Sequence, residues 1–176
     1  MVESASQAAA VYNTSKATGR IGLDCEGVRL SRSGRVCLVQ VQAGETCYMF
    51  DVLKADASIM SQLKAVLEDV SVIKIINDSR NDSVSLFYQK GIKIQNIFDT
   101  QVAYGLIGLW DTQAQQQDLI GLERLLITYN LPAPASKQAV TKRFKGDFGM
   151  WKWRPIPQDL LQQAALPAEA VVQSVT

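Results

Sequence analysis

The chain has no histidine among its 176 residues. That absence removes a Ser-His-Asp or Cys-His nucleophile, and it removes imidazole-bound zinc or iron. Cysteine is scarce: Cys25, Cys37 and Cys47, with no Cys-x-x-Cys pair. An odd number in apolar, strand-like stretches reads as buried, reduced thiols of an intracellular protein, cytoplasmic or nuclear. No run of about 18 apolar residues occurs, so no segment is expected to span a membrane. The N-terminal stretch places an acid early and has no apolar core, so it does not read as a secretory signal. Any metal would have to be held by oxygen or by those thiols.

What is present is an ordinary globular composition, 47% hydrophobic and 20% charged, with 18 basic against 17 acidic residues. This length suits one domain, and residues 1–176 read as a single unit whose last stretch, 166–176, is atypical. The near-neutral total hides a basic segment. Residues 137–154 carry Lys137, Lys142, Arg143, Lys145, Lys152 and Arg154 against the single acid Asp147. Such a run is either a solvated surface or a contact for a polyanion.

Periodicity orders the elements. Ser4 to Lys16 is an Ala-rich helix. Ile21, Leu23 and Cys25 then alternate with Gly22, Asp24 and Glu26, giving a strand with one apolar and one acidic face. Short turns join it to strands at Val36–Val41 and Cys47–Val52, an antiparallel meander. A helix follows from about Ser58 to Glu68, with Ile59, Leu63, Val66 and Leu67 on one stripe. Val72–Ile76 reads as a buried central strand. The next helix ends at Gly91, and Asp78 reads either as its cap or as an acid sharing a face with Asp82 four residues on. Ile92–Phe98 is a further strand, after which Asp99 reads as a helix cap. Helices are expected from Thr100 to about Leu109, from Asp118 to Tyr129 and from Pro157 to Ala165, with Pro167 stopping the last one. The order predicts an α/β fold, a mixed five-stranded sheet with flanking helices.

Asp24-Cys25-Glu26 carries the chemistry. Two carboxylates at i and i+2 on a strand share a face, and Gly22 is expected to leave room beside them. Like charges so close ionise together most readily around a cation. Hard ions such as Mg²⁺ or Mn²⁺ favour such oxygen ligands. Asp82 begins the helix after the fourth strand. If strands one and four are adjacent and parallel, it faces the same crevice.

IGLDCEGV, then IINDSRNDSVSLF, then NIFDTQVAYGL, in this order, resemble the DEDD 3′–5′ exonucleases of the RNase D branch. NDSRNDS, Trp151 and Arg154-Pro155 are similar to the Egalitarian-type exonuclease-domain proteins of RNA pathways. The resemblance spans about residues 18–166. It implies a ribonuclease H-like fold and hydrolysis of 3′-terminal phosphodiesters of RNA or single-stranded DNA with one or two Mg²⁺ or Mn²⁺ ions. It implies Asp24, Glu26 and Asp82 as metal-holding catalytic carboxylates, Asp82 often acting through water. Asn77 stands where relatives commonly carry His.

The family pattern closes with Tyr or His, three residues, then Asp. Here Gln163 and Pro167 align with those places, and none of the five tyrosines is followed four residues later by Asp. Glu169 is the nearest carboxylate, read either as a solvated start of a new helix at Pro167 or as a replacement metal ligand. Two functions follow: a metal-dependent exonuclease weakened by the missing motif, or an inactive pseudo-exonuclease serving as an RNA or protein adaptor in an RNA-processing complex. Lys142, Arg143 and Lys145 are then candidate phosphate contacts, with Phe144, Phe148 and Trp153 as stacking faces and Trp151 as core.

Overall fold

The computed structural model describes residues 1–112, 119–132 and 148–175 of the chain. Helix α1, Ala5–Thr18, starts at Ser4, whose Oγ accepts from the Gln7 N–H, and stops at Gly19 in the left-handed region. The meander follows as β1 (Arg20–Val28), β2 (Arg35–Ala43) and β3 (Thr46–Asp51). Then come α2 (Ala57–Glu68), β4 (Ile73–Ile76), α3 (Arg80–Lys90) and β5 (Ile97–Asp99). After these lie α4 (Thr100–Thr112), α5 (Leu122–Thr128), a 3-10 helix at Phe148–Lys152 and α6 (Gln158–Gln173).

The sheet runs β3-β2-β1-β4-β5. β1 pairs antiparallel with β2 and parallel with β4, so the meander joins the parallel half at the central strand. β4 and β5 are also parallel. This is the expected mixed five-stranded α/β sheet, and it matches a ribonuclease H-like arrangement. None of the described helices is long and apolar enough to cross a membrane.

The alternation of β1 decides what lies on each side. Ile21, Leu23 and Cys25 enter a core with Ala8 and Val11 of α1 and with Leu63, Val66 and Leu67 of α2. The opposite face carries Gly22, Asp24 and Glu26 towards α6. There Leu38 of β2 and Met49 of β3 pack with Met150, Trp151, Leu160 and Ala164. Trp151 is therefore core, as expected, while Trp153 is exposed. Arg154 ties this layer to the sheet. Its Nε and Nη2 donate to the two carboxylate oxygens of Asp51 at 2.6 and 2.7 Å, and its Nη1 donates to the carbonyls of Trp151 and Trp153.

Four expectations need correction. α6 does not stop at Ala165: it continues to Gln173 with Pro167 inside it, so no new helix starts there. A proline removes one backbone donor, but Pro167 is buried, and packing against the sheet holds the helix through that point. Gly22 leaves no open room beside the carboxylates. A β-carbon there would collide with the carbonyl of Ala168, so the space is filled by the α6 backbone. Asp78 is not a helix cap. It sits at φ 63° and receives a two-pronged bond from Arg80, Nε at 2.6 Å and Nη2 at 2.9 Å. β5 is confined to Ile97–Asp99, because Asn96 at φ 53° breaks the extended run before it.

Candidate metal and nucleic-acid site

The parallel pairing aligns Gly22 of β1 with Ile75 of β4. β4 therefore ends level with the middle of β1, and the turn that follows opens beside Asp24. Asp82 lies in the first turn of α3 and is 6% exposed. An acid is electrostatically favoured at that helix position.

The turn carrying Asp82 is held from several sides. Asp99, at the end of β5, accepts from the N–H groups of Asp78 (3.1 Å) and Ser79 (2.8 Å). The same carboxylate accepts from the N–H groups of Gln101 (3.0 Å) and Val102 (3.4 Å) at the head of α4. Asp99 is thus the expected cap of α4, and it also bridges to the turn before α3. Thr100 Oγ1 adds a bond to Asn77 Oδ1 at 3.0 Å. Asp78 keeps its left-handed backbone through the Arg80 fork, and that charge holds its carboxyl below the usual range. A turn fixed by this many bonds keeps a less favoured backbone conformation in place.

The thiol of Cys25 registers the three predicted carboxylates. Its pKa is raised well above the usual thiol value, first by burial and then by the charges of Asp82, Asp24 and Glu26. The pKa of Cys47 on β3 is pushed up to about 12, first by burial and then by the charges of Glu169 and Asp24. Ala165 of α6 lies over the same residue, its carbonyl 3.9 Å from Cys47 Sγ.

Carboxylate oxygens suit a hard divalent ion, and Asp24 and Glu26 are the acids that β1 carries towards α6. Among the described residues, no group of three or more Cys, Asp and Glu side chains is arranged to hold a metal. Lys142, Arg143, Lys145 and Phe144 lie outside the described residues. Sequence reasoning missed Gln40 and Gln42 of β2, polar residues on the covered face of an otherwise apolar strand. Their one signal was polarity inside the run VCLVQVQA.

A family model described as 3′-5′ exonuclease matches residues 1–174. The chain belongs to this exonuclease family. It is an RNase D-like member of the DEDD superfamily. Human piRNA biogenesis protein EXD1 is 33% identical over 153 residues, 84% of this chain and 30% of that protein. The Caenorhabditis elegans Egalitarian protein homolog is 27% identical over 165 residues, 89% of this chain and 29% of that one. The chain spans only about a third of these relatives. Trypanosoma brucei RNase D superposes with a TM-score of 0.84 at 22% identity, covering 98% of this chain and 61% of that one, a likeness of fold.

Proposed function

We propose that this exonuclease domain binds the 3′ end of RNA or single-stranded DNA at Asp24, Glu26 and Asp82, and that its hydrolytic activity is weakened or lost. One observation carries the reading. Pro167, which the family resemblance aligns with the last carboxylate, is buried inside a continuous helix, while Asp24 and Glu26 stand on β1 and Asp82 in the first turn of α3. Asp24 and Glu26 would hold one Mg²⁺ or Mn²⁺, with Asp82 reaching it through water. Such an ion supplies Lewis-acid stabilisation of charge on a phosphate oxygen.

The rest of the chemistry falls to the chain. A full site needs a fourth carboxylate and a Tyr or His to orient the attacking water. Gln163 and Pro167 supply neither function. The amide of Gln163 is a weak base, and proline offers no side-chain oxygen. Glu169 stands in α6 two residues beyond Pro167, and its charge, like that of Asp24, raises the pKa of Cys47. The relative named for piRNA biogenesis favours RNA as the ligand.

The test is calorimetric titration with Mn²⁺, alongside trimming of a 3′-labelled RNA. One ion bound, RNA bound and little trimming is the expected outcome. Two tightly bound ions with brisk trimming would show that the site is fully active.

A further inference from the structure

The sheet face beneath α6 is laid out in rows, because residues opposite each other on antiparallel strands share a face. Gly22, Gln42 and Cys47 form one row. Asp24, Gln40 and Met49 form the next, and Glu26, Leu38 and Asp51 the third. α6 crosses the first row with one turn, its Ala168 carbonyl over Gly22 and its Ala165 carbonyl near Cys47. The preceding turn covers the second row with Ala164, a fully buried small side chain.

Gln40 lies in that second row, directly across from Asp24, and is 0% exposed. Neither its Oε1 nor its Nε2 bonds to a protein atom. In the first row, Gln42 Nε2 donates to the Gly44 carbonyl at 3.0 Å, and its Oε1 has no protein partner. Leaving a buried amide group unsatisfied is destabilising. Leu38, two residues before Gln40 on the same face, shows that an apolar residue fits this layer.

The geometry points to an internal water held by Gln40 and Gln42 against Asp24, which makes Gln40 a positioning residue for that carboxylate. A buried water needs two to four polar partners. Such a water can accept from Gln40 Nε2 and donate to two of the three acceptors beside it, Gln40 Oε1, Gln42 Oε1 and the Asp24 carboxylate. Opposed β-carbons lie about 4.5–5.5 Å apart. One water can bridge side chains at that separation where Gln40 and Asp24 do not bond directly. The amide then orients Asp24 from behind while its ion-facing side stays towards the cleft. The effect on metal binding rests on the function proposed above. The water itself does not.

Gln40→Leu and the more permissive Gln40→Met test this, with three readouts. In the wild-type chain, NMR cross-relaxation should link a long-lived water to the Gln40 side-chain amide. In both variants the melting temperature should fall by about 2–4 °C, since losing the amide and its water leaves the buried Gln42 Oε1 without that partner. The Mn²⁺ dissociation constant should rise about tenfold, as expected when a group orienting a metal ligand is removed. Absence of the water signal, or a higher melting temperature in both variants, would overturn the proposal. So would unchanged Mn²⁺ affinity in variants of a chain that binds Mn²⁺. A wild-type chain that binds no Mn²⁺ would sink the proposed function instead, and the water and melting readouts would still decide this inference.

Discussion

The carbonyl of Ala168 occupies the space that a β-carbon on Gly22 would need, so α6 rests directly on the backbone of the central strand. This contact sets the depth and rotation of α6. It places Leu160, Ala164 and Val171 inwards.

Gly22→Ala should therefore be severe. The clashing atom is helix backbone, which cannot swing aside as a side chain can. Val172 Cγ2 also approaches the same point. Over-packing of this kind costs about 3 kcal/mol or more. Urea unfolding of the variant would measure it. A loss below about 1 kcal/mol would mean that α6 is free to lift from the sheet.

Lys74 supplies a pH signature. It is 0% exposed in β4, its Nζ donates to the carbonyls of Asp69 and Val72, and burial lowers its pKa to about 8 from 10.5. Below about 8 the lysine is charged in both folded and unfolded chains, and the burial penalty is fully present. Between about 8 and 10.5 the folded lysine is neutral while the unfolded one still binds a proton, so this group makes stability rise with pH. The thiols of Cys25, Cys37 and Cys47 and the Tyr12 phenol act the other way at high pH, because their folded pKa values are raised. The contribution is therefore the difference between wild type and Lys74→Met in denaturation series across that window. A flat difference would show that Lys74 titrates normally.

Much of this was legible in the residues. The two-residue period of Ile21–Glu26 gave β1 both of its faces, and the meander and parallel strands followed from turn lengths and apolar runs. Local rules failed where distant packing intervened. Pro167 is a helix breaker by its own chemistry, yet the sheet beneath it keeps α6 continuous. Asp78 has the composition of a cap, yet Arg80 two residues away claims both its oxygens. The Gly22 contact joins residues 146 positions apart, and no pattern in either segment announces it. Gln40 was invisible for a related reason: one polar residue in an apolar strand does not reveal which row it occupies.

The position of Glu169 is open to a direct chemical test. Burial dominates the raised pKa of Cys47, with Glu169 second. Glu169→Gln should lower that pKa and speed alkylation of Cys47 by iodoacetamide at pH 9, by less than about tenfold because burial remains. Mass spectrometry of the Cys47 peptide separates it from Cys25 and Cys37. Unchanged alkylation together with lost Mn²⁺ binding would instead make Glu169 a metal ligand.

The basic segment bears on affinity rather than on chemistry. Lys142→Glu with Arg143→Glu should weaken binding of single-stranded RNA of every sequence to a similar extent, because phosphate contacts carry no base information. Each lost phosphate contact removes about one unit from the slope of log affinity against log salt, so the double variant should lose about two. Fluorescence anisotropy with labelled homopolymers between low and moderate salt reads both effects. Asp24→Asn is the contrasting variant: it should reduce Mn²⁺-dependent binding of the 3′ end while leaving the salt slope in place. Unchanged affinity and slope in the double variant would remove residues 142 and 143 from the interface. Binding of the 3′ end would then depend on the carboxylates of β1 and α3 alone.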